Sequence, residues 1–301
     1  MVTLGTILTV VFLLIPGTAF HLAETKRVSL PLGVQLSHAV LTPVDEVLVI
    51  DNRRHAVWIS KGSKWSSFRL PNGFIPVGAS ALGGKISVID ATGSVASISP
   101  SGTNSDGWVL SPPTIPNDRI EGVQSAVGAD EGWIAVGPCS DSPTDSCVVR
   151  QTADQRTTVL GRFQTQVTER GPDRLWLAVA AGKLILSQAS FPFSKWELDL
   201  KTGTFGALGN GGGIESFKEC PDRDWIGLTV LPLDRGSIQS HVDLGSDHRC
   251  ITRFDGIGRK ENAVLLDNPL TLLDSRPGDR TLLGSQRLNQ IDLVFYRWDW
   301  R

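Results

Sequence analysis

The sequence predicts an all-β fold that is built from one repeated unit. Beyond residue 26 the apolar residues do not recur at helical spacing, and short runs rich in β-branched residues alternate with Gly, Pro, Asn and Asp. Segments within the first 125 residues also align with one another at offsets of 39, 40 and 89 residues. Self-similarity at a fixed period is typical of repeat architectures.

The alignments locate the repeat within the chain. Three pairs of segments carry them: residues 28–33 with 68–73, residues 48–51 with 87–90, and residues 33–35 with 122–124. Later copies have diverged, but strong strands still recur in them. Six units across residues 27–301 would each contain about 46 residues, which lies within the range for one blade of a propeller.

Each unit divides into four predicted strands. In the first unit they span residues 35–41, 47–50, 56–60 and 65–70. The last unit supplies three, over residues 263–273, 280–285 and 290–298. Residues 27–32 resemble the outer strand of the first unit but stand before that unit begins. We expect them to complete the last unit and close the ring.

This pattern resembles six-bladed β-propellers, and the resemblance covers residues 26–301. Radial repetition of four-stranded sheets leaves only short, protected sheet edges, which suits a chain made of many short strands. A pair of packed β-sheets is the alternative architecture. The resemblance implies one propeller domain with a central channel.

The composition narrows the classes of partner. The 29 Lys and Arg residues stand against 31 Asp and Glu residues, giving a net charge of −2. Nucleic-acid binding depends on a basic surplus that this chain does not have, so we expect no nucleic-acid partner. With 41% hydrophobic and 20% charged residues, the composition is that of a globular protein.

Residues 1–20 form an uncharged apolar segment that precedes the first charged residue, Glu24. As a helix it would be about 30 Å long, enough to cross the hydrocarbon core of a membrane. A signal peptide begins with a positively charged region, but no Lys or Arg stands at the start of this segment. We therefore predict that it is an uncleaved N-terminal anchor. Cleavage after Ala19, preceded by the small residue Gly17 and the helix breaker Pro16, is the alternative.

The four cysteines are predicted to form two disulfides, Cys139–Cys147 and Cys220–Cys250. Their spacing matches no Cys or His metal motif, and four buried free thiols are the alternative. The first pair brackets a turn-forming segment and is expected to staple a long loop, and the second to join neighbouring strands. Disulfides persist in oxidising compartments, so we expect a periplasmic or other extracytoplasmic location.

One set of polar residues has the spacing of a channel metal site. Asp51, Asn52 and Asp90 end equivalent second strands of the first two units. This arrangement is similar to the metal site of metal-dependent propeller lactonases, which hold a cation in the channel. A hard cation is bound by about six to eight oxygen atoms. The matching positions of the next three units are Gly137, Ser187 and Thr229. Because Asp and Asn also favour turns, we expect neither a metal nor another cofactor.

The remaining motifs point away from catalysis. The sequence has no nucleophile elbow, no phosphate-binding loop and no zinc-protease motif, and the one histidine pair that could face across the channel is His38 with His241. The loops between second and third strands lengthen over residues 137–147, 187–194 and 232–236. One contains Phe191, Pro192 and Phe193, which suit a protein interface or a membrane contact.

Together these features predict a non-catalytic, membrane-tethered periplasmic scaffold. An anchor, a whole propeller and no catalytic set are similar to accessory extracytoplasmic subunits of bacterial membrane complexes, such as photosynthetic reaction-centre/light-harvesting assemblies. This resemblance implies other subunits of the complex as partners, with membrane contact through residues 1–20. The alternatives are a metal-dependent lactonase-like hydrolase and a soluble exported propeller that binds glycans or peptides, because propellers support all three.

Overall fold

The structure is a computed structural model, and its secondary structure consists of β-strands. It describes residues 20–300 apart from residues 43–45, 82–85, 101–107, 111–121, 130–131, 153–155, 165–166, 169–170, 173–174, 181, 189–193, 211–214, 218–219, 234–235, 244–248, 256–259, 267–269, 277–279 and 288–289. The predicted interface residues Phe191, Pro192 and Phe193 lie outside the described residues, as does the predicted helix up to residue 19.

The strands form six main sheets, numbered here as blades one to six along the chain. The first strand, β1 (Phe20–Ser29), belongs to blade six. Blade one contains β2 (His38–Leu41), β3 (Val47–Asp51), β4 (Ala56–Lys61) and β5 (Lys64–Arg69). Blade two contains β6 (Pro76–Ser80), β7 (Ile86–Asp90), β8 (Val95–Pro100) and β9 (Trp108–Leu110). Blade three contains β10 (Ser125–Ala129), β11 (Gly132–Cys139), β12 (Ser142–Thr152) and β13 (Thr157–Gln164).

The second half of the chain continues the series after a two-stranded ribbon, β14 (Val167–Thr168) with β15 (Gly171–Pro172). Blade four contains β16 (Leu175–Ala180), β17 (Lys183–Gln188), β18 (Ser194–Asp199) and β19 (Phe205–Asn210). Blade five contains β20 (Glu215–Phe217), β21 (Cys220–Pro232), β22 (Ser237–Asp243), β23 (Arg249–Phe254) and β24 (Lys260–Leu266). Blade six contains β25 (Leu270–Arg276), β26 (Thr281–Arg287) and β27 (Ile291–Trp300), followed by β1.

The inner strands of the six blades contact one another in a closed circle. β2 contacts β6, which contacts β10, and the circle continues through β16, β21 and β25 back to β2. The approach is close, since a Cβ atom added to Gly78 would lie 2.2 Å from the carbonyl oxygen of Ala126 in the next blade. The chain is therefore a six-bladed β-propeller, as the sequence predicts.

The apolar core lies between the blades rather than in one central mass. Five clusters of buried side chains each combine residues of neighbouring blades. Leu48 and Ile50 of blade one pack with Val88 and Ile98 of blade two, for example, and all four are 2% exposed or less. Each blade is consequently stabilised mainly by burying apolar surface against its neighbours.

The turns that lead into successive blades confirm the internal alignment. Gly33, Gly73 and Gly122 have φ angles of +78°, +79° and +70°, a region that L side chains rarely adopt. In the first two turns the residue after the glycine donates its amide to the carbonyl of Pro31 or Pro71, in both cases at 3.1 Å. The segments aligned in the sequence therefore have the same backbone conformation.

The strand predictions hold for blade one and differ in three later blades. In blade three the expected loop over residues 137–147 is a tight hairpin, because β11 and β12 continue their pairing up to a two-residue turn. In blade five the run at 225–228 belongs to the long strand β21, and residues 233–236 connect β21 to β22. In blade six the single strand predicted over residues 263–273 is divided between β24 and β25.

Both predicted disulfides are present, and the described residues contain no free cysteine. Cys139–Cys147 lies across the β11–β12 hairpin. Cys220–Cys250 joins β21 to β23, which are separated by β22 in the sheet, so the expectation of neighbouring strands is wrong. All four cysteines are buried, with Cys220 and Cys250 fully enclosed.

Loss of the two disulfides is expected to have unequal effects. The pairs close loops of 8 and 30 residues, and the chain-entropy model assigns about 2.5 kcal/mol to the shorter loop and about 3.5 kcal/mol to the longer. Denaturant unfolding of a Cys139→Ser/Cys147→Ser variant and of a Cys220→Ser/Cys250→Ser variant measures this difference. A larger loss of unfolding free energy in the Cys139/Cys147 variant would contradict it.

The start of the described chain lies beside its end. β1 pairs antiparallel with β27, from Phe20 opposite Trp300 to Ser29 opposite Asp292. Arg27 links three side chains there, since its guanidinium donates to Glu24, to Asp292 and to the amide oxygen of Gln286. Among the described residues no helix is long and apolar enough to cross a membrane.

Candidate functional site

A cavity of about 220 Å³ lies within the ring of inner strands, and all six blades contribute to its wall. Twenty of the residues that the structure describes line it, and fourteen of these are apolar and mostly small. The six with polar side chains are His38, Ser80, Ser125, Asp274, Ser275 and Arg276. A concave, largely apolar cavity with a few convergent polar groups is the usual form of a small-molecule site.

Blade six supplies the acidic group of the cavity. The pairing of β25 with β26 shifts register between Leu272 and Asp274, an irregularity that changes the direction of the following side chains. One carboxylate oxygen of Asp274, Oδ2, accepts the backbone amide of Leu41 in blade one at 2.7 Å. The other, Oδ1, accepts the amide of Ser275 at 2.8 Å. The carboxyl group thus joins blade six to blade one and lines the cavity between them.

Arg276 places a positive charge beside this carboxyl group. It lies two residues after Asp274 on β25, and its Nη1 donates a hydrogen bond to the carbonyl oxygen of Thr42, again in blade one. Burial raises the pKa of Asp274 to about 6, although the amides of Leu41 and Ser275 and the charge of Arg276 act in the opposite direction. Surrounding protein thus encloses Asp274 except where it lines the cavity.

The raised pKa of Asp274 predicts that the protein loses stability as pH rises from about 4 to about 7. The carboxyl group titrates near 3.8 when unfolded and near 6 when folded, so its favourable contribution is complete below pH 4 and disappears above pH 6. Two pKa units correspond to about 3 kcal/mol. Urea unfolding across this pH range measures the change. Parallel pH profiles for wild type and an Asp274→Asn variant would contradict the assignment.

Of the two histidines that could face across the channel, only one lines the cavity. His38 begins the inner strand β2 and lines the cavity. His241 lies on β22, the strand outside β21 in blade five, where it is fully buried and is not part of the cavity wall. Only His38 therefore remains a candidate for contact with a bound molecule.

The predicted metal ligands have local partners in two separate hairpins. Asp51 Oδ1 accepts the amide of Arg54 at 3.1 Å, and Asp90 Oδ1 accepts the amides of Thr92 and Ser94 at 2.8 and 2.9 Å. Asn52 is exposed. None of the three predicted ligands lines the cavity, and the described part of the chain holds no cluster of three or more His, Cys, Asp or Glu suited to a metal. The hydrogen bonds of Asp51 and Asp90 fit the capping of turns.

Comparison with known proteins identifies the fold but no family, since no family model and no curated protein matches the sequence. The structure is similar to the PQQ-bound aldose sugar dehydrogenase of Streptomyces coelicolor, with a TM-score of 0.57 and 11% identity over 94% of this chain and 99% of the other. A putative gluconolactonase is similar with a TM-score of 0.52 and 14% identity, over 95% of this chain and 94% of the other. A chain of the mitotic checkpoint complex is similar with a TM-score of 0.51 and 13% identity, over 92% of each chain.

These similarities correct the prediction that the chain is not an enzyme. Two of the three propellers that it resembles over almost their whole length are a sugar dehydrogenase and a putative gluconolactonase. The prediction is wrong because a propeller can assemble its polar groups from strands of different blades, so the absence of a local motif excludes nothing. The structures give no support to the predicted similarity to photosynthetic complexes, and the predicted partner subunits stay a prediction.

Sequence reasoning missed Asp274 and Arg276. The signal was present, because both charges occur at the end of an otherwise apolar strand, Leu-Thr-Leu-Leu-Asp-Ser-Arg. The side chain of a charged residue on an inner strand lies either in the channel or at an interface between blades. Assigning residues 263–273 to one strand placed Asp274 just beyond its end and concealed this.

Proposed function

We propose that this protein is an enzyme that hydrolyses a small cyclic ester within the channel cavity. The observation that carries the proposal is the Asp274 carboxyl group, which has a pKa of about 6 and lines a mainly apolar cavity beside the guanidinium of Arg276. Perturbed titratable groups in a cavity are typical of catalytic sites. The propeller fold shared with a putative gluconolactonase is compatible with this class of reaction.

The two charged groups supply complementary parts of lactone hydrolysis. The ionised Asp274 accepts a proton from a water molecule as that water adds to the ester carbonyl carbon. The positive charge of Arg276 stabilises the oxyanion that forms on the carbonyl oxygen. When the ring C–O bond breaks, Asp274 returns the proton to the leaving alkoxide, and the product is a hydroxy acid. Each carboxylate oxygen has two lone pairs, so the amide bonds to Asp274 leave acceptor sites for the water.

No step is assigned to a metal ion. A propeller lactonase of the metal-dependent type would hold its cation with residues such as Asp51, Asn52 and Asp90. In this structure Asp51 and Asp90 accept amides of their own turns, and none of the three lines the cavity. The Asp274–Arg276 pair therefore carries the proposed chemistry.

Acid release from ε-caprolactone tests the proposal. In a pH-stat assay the purified protein is expected to accelerate hydrolysis, with kcat/KM rising between pH 5 and 7 around an apparent pKa of about 6, because only the ionised Asp274 can accept the proton. Rates no higher than those of heat-inactivated protein across a series of lactones and esters would refute the proposal.

We propose further that the protein acts outside the cytoplasm and is tethered by residues 1–20. Two disulfides and an uncharged apolar segment of this length support the assignment. The protein should stay with native membranes in carbonate and high-salt washes, because a hydrophobic attachment does not depend on charge. Its intact mass should include Met1. A mature chain that begins at Phe20 and is released by salt would replace the tether with a cleaved signal peptide.

We also propose that β1 closes the propeller ring. The antiparallel pairing of β1 with β27 over nine residue pairs supports this role, as do Val28 and Leu30, which are each 5% exposed and pack between blades six and one. A strand in this position covers an edge that would otherwise present unpaired amides and carbonyls.

A further inference from the structure

The wall of the cavity is divided between a polar side and an apolar side. Blade six contributes Asp274, Ser275 and Arg276, and blades one, two and three each contribute one further polar side chain. Among the side chains that the structure describes, those that blades four and five contribute to the wall are apolar, and they include Leu177, Val179 and Leu231. A molecule within the cavity therefore meets hydrogen-bonding groups on one side and hydrocarbon on the other.

This division discriminates between cyclic esters of different polarity. A hydroxylated ring presents hydroxyl groups around its whole circumference, and those facing blades four and five would lose their water without gaining a partner. Each such hydroxyl group lowers affinity by a factor of about ten or more. A hydrocarbon ring makes favourable contact with the same wall and has only its ester group to satisfy.

The size of the cavity limits the molecule to a single small ring. A volume of about 220 Å³ lies below the roughly 300–1,000 Å³ of typical small-molecule pockets. A six- or seven-membered ring with a short substituent fits this space. The Asp274 and Arg276 side chains fix the end at which its ester group must lie, because they provide the adjacent acidic and basic groups of the wall.

We infer that the substrate is a small lactone with a hydrocarbon body rather than a sugar lactone. This inference rests on the proposed hydrolase function and specifies its substrate class. The ester lies against Asp274 and Arg276, and the methylene groups lie against Leu177 and Val179. Selectivity thus arises from the apolar wall, while the chemistry arises from the opposite side.

Two pairs of probes test the substrate class separately from the reaction. The first pair compares kcat/KM for ε-caprolactone with that for glucono-δ-lactone, and the ratio should be at least 100. The second compares calorimetric binding of their amide analogues, ε-caprolactam and glucono-δ-lactam. If neither lactone is hydrolysed, the proposed function fails, but tighter binding of caprolactam would still support the apolar class. Preference for the gluconate-derived probe in either pair would overturn the inference.

A nearly isosteric substitution tests the wall directly. Val179→Thr replaces a methyl group with a hydroxyl group on the apolar side, and kcat/KM for ε-caprolactone and affinity for caprolactam should each fall about tenfold. The matched control is Val159→Thr, because Val159 is 52% exposed on the outer strand β13 and is not part of the cavity wall. Equal values for the two variants would refute the role of the apolar wall.

Discussion

Replacement of Asp274 by Asn is expected to lower kcat for lactone hydrolysis by about 100-fold or more while the propeller stays folded. The effect is large because a positioned general base contributes roughly 100- to 10,000-fold, and an amide cannot accept the proton. Asn has the shape of Asp, and its amide oxygen can still accept the backbone amide of Leu41. The bond to the Ser275 amide is lost or weakened, at a cost of about 1 kcal/mol.

The pH profile separates a catalytic role for Asp274 from a structural one. In the wild type the acidic limb of kcat/KM should follow an apparent pKa of about 6, and in Asp274→Asn the residual rate should lose that limb. Asp141→Asn serves as the control, since it makes the same chemical change at an exposed residue paired with Arg162 on blade three. An Asp274→Asn variant with more than half of the wild-type kcat would refute the proposed mechanism.

A chain that begins at Pro31 is expected to lose its cooperative thermal transition. Removal of β1 exposes the edge of β27 along nine residue pairs and deletes Val28 and Leu30 from the cluster between blades six and one. The buried side chains alone contribute about 1.5–3 kcal/mol each. The lost pairing adds to this, and the total approaches the 5–15 kcal/mol that stabilises a typical domain.

The control for this truncation is a chain that begins at Phe20, which retains every residue of β1. It should show the same melting temperature by circular dichroism as the full chain, measured in detergent or after extraction. Adding a peptide of residues 20–30 to the shorter chain should restore part of the transition, because the edge of β27 is then paired again. Identical melting of the two truncated chains would show that β1 does not close the ring.

The fold could be predicted from the sequence because each repeat unit contains strand and turn patterns that are recognisable over a few residues. Alternating strands and turn glycines such as Gly33 and Gly73 recur at a fixed offset, and those glycines adopt the same backbone conformation in the structure. Blade five resisted prediction because β21 extends over 13 residues and includes a register shift. Because β21 is this long, the later strands of blade five begin further along the chain than the repeat predicts.

The candidate site was harder to predict than the fold. Asp51 and Asp90 are candidate metal ligands in the sequence because of their regular spacing. A sequence alone cannot distinguish an Asp that caps a turn from an Asp that binds a cation. Asp274 has no such regularity, and its raised pKa comes from burial, in a position where it also accepts the Leu41 amide of a different blade, 233 residues away. The neighbouring residues show that Asp274 ends an apolar strand, but they do not show its raised pKa, because that depends on burial by residues distant in the sequence.

The pairing of Phe20 with Trp300 also determines the order in which the protein can mature during synthesis. The first blades need only their neighbours to bury apolar surface, so they can assemble while the ribosome is still adding residues. β1 must wait for β27, the last strand to be made, and the closing contact bears the largest loop entropy in the chain. If β1 closes the ring as proposed, a chain that lacks β27 would have two open edges, a state that favours aggregation and degradation.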